Sequence, residues 1–242
     1  MKEPVVLVFE SNEQLVKGFS EHFIKLINLK EGIFNVAFSG GNTPKTWFDD
    51  LTKNHVNEID WNSVHVYWGD ERCVPPDAEE SNYGMTKKYL LDHIDIPEQN
   101  IHRIQGELKP HEAASKYAKE LNANFPKDQL PVFDLIMLGL GEDGHTASIF
   151  PHQIHLWDAD EFCVATTHPI SGQHRVSLTG KVINNANLVV FMVTGIPKAE
   201  KVKEILHGDP KASGYPAYLV KPINRELYWF LDKASASYLT YD

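Results

Sequence analysis

Residues 133–146 read FDLIMLGLGEDGHT: a largely apolar run, Phe133–Leu138, passes through Gly139-Leu140-Gly141 into the charged turn Glu142-Asp143-Gly144-His145. A short apolar run bounded by glycine has the form of a strand buried in a parallel sheet. A polar, glycine-rich segment directly after it lies where open α/β sheets bind ligands, at the carboxyl ends of the strands. The pattern recurs on both sides. Ile33–Phe38 leads into Ser39-Gly40-Gly41-Asn42-Thr43-Pro44, Val64–Trp68 into Gly69-Asp70-Glu71-Arg72, and Leu188–Val193 into Gly195-Ile196-Pro197-Lys198. Polar motifs at the ends of different strands can converge on one site although they are scattered along the chain.

The intervening segments carry helical signals. Ser11-Asn12-Glu13-Gln14 has the capping-box form and precedes Leu15, Phe19, Phe23, Leu26 and Ile27 at helical spacing. Helices are expected to open at Thr43-Pro44, where proline suits the first helical position, and to run over about 83–93, 110–124 and 197–206. Val5–Phe9 and Phe162–Thr166 are further strands, and Glu226–Leu231 is expected to close the sheet. Strands alternating with helices predict an α/β fold, a mostly parallel open sheet covered by helices on both faces. A less regular segment, an antiparallel excursion or a small subdomain, is expected around 150–180. No repeat or linker divides residues 1–242, so a single domain is expected.

The formal charge of −10 argues against nucleic acid or an anionic membrane as partner. No apolar stretch approaches the ~20 residues of a membrane span, and the N-terminus lacks a signal-peptide pattern. Two lone cysteines, Cys73 and Cys163, suit a reducing compartment. A cytoplasmic protein, monomeric or a small homo-oligomer, is expected. There are four arginines, Arg72, Arg103, Arg175 and Arg225, and two of them lie on or near the motifs.

The Ser39–Pro44 loop has the character of an anion cradle. Its glycines admit close backbone approach, and the helix that follows points free N–H groups at a ligand. It lacks the lysine of a nucleotide-binding phosphate loop, which favours a small phosphate ester; the competing reading is a tight strand-to-helix turn. His145 is the candidate base. A histidine's ordinary pKa of ~6.5 leaves the proton-accepting form plentiful at neutral pH, and a helix starting nearby would favour that form further. Asp143, in the same turn, is a further catalytic candidate. Ser148 and Ser39 lack a nucleophile-elbow pattern. Cys73 adjoins Arg72, which would lower its pKa, yet has no assignable partner, so direct attack by water is the simpler chemistry. Arg72, Arg175 and Lys198 are the cations near the motifs. Lys198 opens a helix, where a positive charge is unfavourable unless an anion binds there. Asp70 and Glu71 with His145 give no metal-ligand spacing, so neither metal nor cofactor is expected.

Three of these motifs, Ser39–Pro44, Trp68–Arg72 with Ser81-Asn82, and Gly139–Pro151, closely resemble the 6-phosphogluconolactonase family. The Arg175 segment, Ile183–Ala186 and Gly195–Ala199 follow its later pattern in the same order. The resemblance covers about Val5 to Leu231. It implies a fold shared with glucosamine-6-phosphate deaminase and ribose-5-phosphate isomerase. The implied reaction is hydrolysis of 6-phospho-D-glucono-1,5-lactone to 6-phospho-D-gluconate, the second step of the oxidative pentose phosphate pathway. His145 would be the general base. Ser39, Gly40, Gly41, Asn42, Thr43, Arg175 and Lys198 would hold the phosphate, and Arg72 and Asp70 would line the lactone end. The deaminases are the nearest alternative. They resemble this chain less, because they carry tyrosine where Arg72 stands and a proton-transferring glutamate where Phe150 stands. A sugar-phosphate sensor is a further alternative, but such regulators carry an appended DNA-binding helix pair, and here the first strand begins almost at residue 1.

Overall fold

A computed structural model of the chain describes residues 3–127, 129–222 and 225–240. The chain runs β1 (Val5–Phe9), α1 (Asn12–Leu29), β2 (Phe34–Phe38), α2 (Asn42–Asp50), β3 (Val64–Trp68) and β4 (Asp70–Arg72). It continues with α3 (Asn82–Tyr89), α4 (Pro110–Asn124), β5 (Leu135–Leu138), β6 (Cys163–Thr167) and β7 (His174–Leu178). Then follow α5 (Gly180–Ile183), β8 (Leu188–Val193), α6 (Ala199–Leu206) and β9 (Glu226–Asp232).

Six strands form a parallel sheet in the order β1-β9-β8-β5-β2-β3. The expected parallel sheet is present, but β9 does not close it. Glu226–Asp232 inserts between β1 and β8, and the edges are β1 and β3. The buried runs explain the order. Every residue of β5 and β8 is buried, as the interior of a sheet covered on both faces requires. In β1, by contrast, Val5 and Val8 are exposed. The amphipathic face of α1 sets Leu15, Val16, Phe19, Phe23 and Ile27 into the core, where Phe19, Phe23, Phe38, Trp47 and Phe48 make tilted and edge-on ring contacts. Ser11 caps α1 by accepting from Gln14 N–H at 3.3 Å, as its capping signature predicts.

The excursion expected near 150–180 is a second sheet, antiparallel, in the order β4-β7-β6. Gly69 joins the two sheets: its N–H donates to Phe38 O in β2 at 2.9 Å, and its C=O accepts from Leu178 N–H in β7 at 2.9 Å. One residue earlier, the Tyr117 hydroxyl from α4 donates to Trp68 O and accepts from Trp68 N–H, at 2.9 and 3.0 Å. It thereby satisfies both backbone groups where the chain leaves the large sheet. Asp70–Arg72 are therefore carried beside the carboxyl ends of the parallel strands.

Helix boundaries differ from the sequence expectation where glycine or short-range turns intervene. The second helix opens at Asn42, with Gly41 as its N-cap at φ 109°, so Pro44 is its third residue. The segment expected to be helical over 83–93 is α3 followed by a 3₁₀ turn at Leu91–His93, and Ile196–Lys198 forms a 3₁₀ turn before α6. No α-helix starts near His145; the chain turns there and enters a 3₁₀ segment only at Pro151. The expected helix-dipole influence on His145 is therefore absent. Among the described residues no helix is long and apolar enough to cross a membrane.

Candidate active site

From β2 the chain moves to one edge at β3, whereas from β5 it moves the opposite way to β8. Neighbouring strands whose connections diverge leave a crevice at their carboxyl ends. A cavity of about 170 Å³ occupies it, and Ser39, Gly40, Gly139, Leu140 and Gly141 from those two ends line it. The second sheet contributes Asp70, Arg72 and Arg175, the turn after β5 adds His145 and Ala147, and Lys198 and Asn82 complete the wall. His145 and Gly40 thus face one space, although the chain separates them widely.

Strand alternation sorts the Asp70-Glu71-Arg72 motif. Successive side chains in a strand point to opposite faces, so Asp70 and Arg72 face the cavity and Glu71 faces away. Glu71 accepts from the backbone N–H groups of Arg72, Asn82 and Tyr83 at 2.7, 2.7 and 2.8 Å and from the Ser81 hydroxyl at 3.1 Å. Burial pushes its carboxyl up, against the pull of those three amides. It is a structural tie to the start of α3, with no oxygen left for a metal. Among the described residues, no group of three or more His, Cys, Asp or Glu side chains is placed to hold a metal ion.

Antiparallel register sets Arg72 opposite Arg175 and Asp70 opposite Ser177. The two guanidinium groups are thus neighbours on one face. Neither forms an ion pair with a carboxylate among the described residues: Arg72 donates to Glu80 O at 2.5 Å and Arg175 to Gln173 Oε1 at 3.2 Å. Both Nε–H groups are buried without a partner. Burial, then the charge of Arg72, lowers the pKa of Arg175. Two unneutralised cations held side by side are a receptor for an anion with several oxygens. Sequence reasoning separated them, with Arg175 at the phosphate and Arg72 at the lactone; the register puts them together.

Asp143 and His145 form a compact pair. Asp143 Oδ1 accepts from His145 N–H at 3.1 Å and lies 2.6 Å from His145 Nδ1. Burial opposes ionisation of Asp143, but its bonds to His145 win and hold its carboxyl at about 2, below the ordinary 3.8. An ionised carboxylate can only accept, so in the neutral ring Nδ1 carries the proton and Nε2 the lone pair. Gly141 is required here: a Cβ would stand 2.1 Å from His145 Nδ1 and 2.6 Å from Asp143 Oδ1. Behind the cavity, Asp70 Oδ2 accepts from the buried Ser148 hydroxyl at 2.6 Å, and Asn82 Nδ2 donates to Asp70 O at 2.9 Å. Ser148 is thus committed to Asp70 rather than free as a nucleophile. Burial and the charge of Glu71 push the Cys73 thiol up to about 11, overriding the lowering expected from its cationic neighbours.

The remaining candidates are less central. Gly41 and Asn42 line an adjoining open groove of about 880 Å³, which shares Arg72 and Asn82 with the cavity. Thr43 lines neither space; its hydroxyl lies 2.9 Å from that of Thr194, tying α2 to the end of β8. Lys198 stands at the N-cap of α6 without a side-chain capping bond, and its Nζ lies 3.7 Å from Glu142 Oε1. Asn82, which sequence reasoning used only as part of a motif, is a lining residue; its side chain occupies the space a Cβ on residue 40 would need. Phe150, where the deaminases carry a glutamate, is fully buried with its ring 4.7 Å from that of His145.

Residues 10–229 match the family described as glucosamine-6-phosphate isomerases/6-phosphogluconolactonase. The chain belongs to this family. A 6-phosphogluconolactonase of Haemophilus influenzae is 42% identical over 96% of this chain and 98% of its own. One of Treponema pallidum is 44% identical over 85% of each. Among solved structures, the 6-phosphogluconolactonase of Trypanosoma brucei superposes with a TM-score of 0.87 at 27% identity, covering 99% of this chain and all of its own. The Haemophilus influenzae and Trypanosoma brucei proteins are thus similar to the present chain over 96% or more of its length.

Proposed function

We propose that the chain is a 6-phosphogluconolactonase, a carboxylic-ester hydrolase that opens 6-phospho-D-glucono-1,5-lactone to 6-phospho-D-gluconate. The observation that carries this reading is one cavity holding two kinds of group. The oriented imidazole of His145 stands on one wall, and the unpaired cations Arg72 and Arg175 on another. A substrate with an ester at one end and a phosphate at the other uses both.

Arg72, Arg175 and Lys198 hold the phosphate, with the backbone at Ser39 and Gly40 alongside; Gly41 and Asn42 border it from the adjoining groove. With the phosphate held, the lactone carbonyl carbon sits beside His145. Nε2 takes a proton from water as the water oxygen bonds to that carbon. The negative charge that develops on the carbonyl oxygen is stabilised by hydrogen-bond donors beside it, which lowers its cost. As the carbonyl re-forms, the bond to the ring oxygen breaks, and Nε2 returns the proton to that leaving oxygen. The products are a carboxylic acid, which ionises, and a free hydroxyl. Asp143 keeps Nδ1 protonated throughout and stabilises the imidazolium between the two proton transfers. Asp70 lines the cavity as an acceptor for substrate hydroxyls. The reaction needs no group beyond the chain's own side chains and water.

The test is lactone hydrolysis by the purified protein, followed as acid release in weak buffer, with the spontaneous rate subtracted. His145→Ala lowers kcat by ~10²–10⁴-fold and leaves KM nearly unchanged. Near-normal turnover by that variant, or release of ammonia from glucosamine 6-phosphate by the unmodified protein, overturns the assignment.

A further inference from the structure

Between Asp143 and His145 stands Gly144, with φ 86°. Its α-carbon is pressed by an aromatic ring from a distant segment: a Cβ on residue 144 would lie 2.4 Å from Tyr215 Cγ and 2.7 Å from Tyr215 Cβ and Cδ1. The next turn of the same segment reaches the loop as well, since Ala217 N–H donates to Gly144 O at 3.1 Å. The far end of the ring is anchored. The Tyr215 hydroxyl donates to Glu204 Oε2 at 3.0 Å and accepts from Lys201 Nζ at 3.0 Å, and the Lys201 ammonium lies 2.7 Å from the same Glu204 oxygen. Lys201 also stands over the ring, 4.7 Å from its centroid. Lys201 and Glu204 are both on α6, the helix whose N-cap position Lys198 holds at the cavity.

We infer that Tyr215 is a positioning residue for catalysis: its ring, clamped by the Lys201–Glu204 pair, sets the Gly144 turn and so holds the Asp143–His145 pair in its working geometry. The argument is one of degrees of freedom. Gly144 has no side chain and occupies a backbone region that only glycine adopts readily, so its own conformational preference defines the turn weakly. A turn that must hold an imidazole to a fraction of an ångström needs support from outside itself, because a misplacement of ~1 Å can cost ~10²-fold in rate. Tyr215 supplies that support on one side of Gly144, and the Ala217 N–H supplies it on the carbonyl. The anchoring triangle makes the strut rigid: two bonds join the Tyr215 hydroxyl to α6, a third ties Lys201 to Glu204 within that helix, and the ring packs on the loop. In consequence α6, which carries the phosphate-binding Lys198 at its start, and the loop that carries the base are one mechanical unit. The distance between phosphate and base is fixed before substrate arrives.

This inference rests on His145 being the base, and the experiment separates the two. Tyr215→Ala, Tyr215→Phe, His145→Ala and the double variant His145→Ala/Tyr215→Ala are assayed for lactone hydrolysis, with circular dichroism and thermal melting to establish that each is folded. Tyr215→Ala is expected to lower kcat about 10- to 100-fold with KM changed less than about threefold, because the phosphate contacts are untouched. Tyr215→Phe keeps the ring against Gly144 but frees it from Lys201 and Glu204, and is expected to lose part of kcat, less than Tyr215→Ala. In the His145→Ala background, Tyr215→Ala is expected to have no further effect beyond about twofold, since there is no longer an imidazole to position. Should Tyr215→Ala not fold, Tyr215→Val serves in its place, keeping apolar volume but leaving the face of Gly144 uncovered, with a smaller loss in kcat alone. An unchanged kcat in a folded variant, a rise in KM matching the loss of kcat/KM, or multiplicative effects in the double variant overturns the positioning role. A harmless His145→Ala substitution instead overturns the assignment of the base and leaves a separate result for Tyr215.

Discussion

Replacing Asp143 with asparagine preserves the size and shape of the side chain and removes its charge. In the native site Oδ1 takes both the His145 backbone N–H at 3.1 Å and Nδ1 at 2.6 Å, and the carboxyl is held at about 2, so the carboxylate dominates at neutral pH. An acceptor that cannot donate forces the proton onto Nδ1. An asparagine can present either its oxygen or its NH₂, and the NH₂ orientation stabilises the opposite tautomer, which has no lone pair on Nε2 for the water proton. The charge-assisted bond is worth about 1.5–3 kcal/mol. At ~1.36 kcal/mol per factor of ten, losing it lowers kcat by roughly 10- to 150-fold. KM changes little, because Arg72, Arg175 and Lys198 are undisturbed. The assay is acid release from 6-phosphogluconolactone over a range of substrate concentrations, with the uncatalysed rate subtracted at each. A kcat within about twofold of the native value refutes the tautomer argument. A loss expressed wholly in KM refutes the proposed separation of a catalytic pair from a phosphate clamp.

Three more outcomes follow from the same geometry. Gly141→Ala puts a methyl group where His145 Nδ1 and Asp143 Oδ1 leave 2.1 and 2.6 Å; displacement of the ring lowers kcat by at least about tenfold in a protein whose thermal melting is close to native, and a normal kcat shows that the loop adjusts freely. Arg175→Ala removes one of two unneutralised guanidinium groups and raises KM by roughly 10- to 150-fold, the equivalent of ~1.5–3 kcal/mol, with a parallel loss of inhibition by 6-phosphogluconate; an unchanged KM places the phosphate elsewhere. Glu71→Gln replaces one of two acceptor oxygens with an NH₂ donor facing the backbone N–H groups of Arg72, Asn82 and Tyr83 and costs about 1–3 kcal/mol of stability, read as a fall in Tm of several degrees, while the folded fraction keeps its KM. Full stability in that variant removes Glu71 from its structural role.

Much of the fold is written locally. The helical spacing of Leu15, Phe19 and Phe23, the fully apolar β8 and the apolar run of β5, and the glycine turns that follow them are short-range patterns. Burial and backbone sterics act on them residue by residue, so strands, helices and the positions of the polar loops are legible from sequence. His145 is legible for the same reason, as a titratable side chain in a glycine-flanked turn at a strand end. Errors begin where the deciding contact lies outside the segment. Pro44 suggests a helix start, but Gly41 takes the cap with its positive φ, and the expected helix beside His145 is replaced by a turn that Asp143 stabilises.

The one-dimensional pattern determined which elements form and that their polar ends could meet. Tertiary structure alone decided how they meet, because strand register and insertion order depend on pairing between segments remote in the chain. Register makes Arg72 and Arg175 neighbours. Insertion of β9 beside β8 makes β1 an edge. Thr43 is drawn to Thr194 and Tyr215 to Gly144 by packing that no local periodicity encodes. A hydrogen bond or a ring contact between distant residues requires the whole sheet to be assembled first, and the working geometry of His145 is built from such contacts.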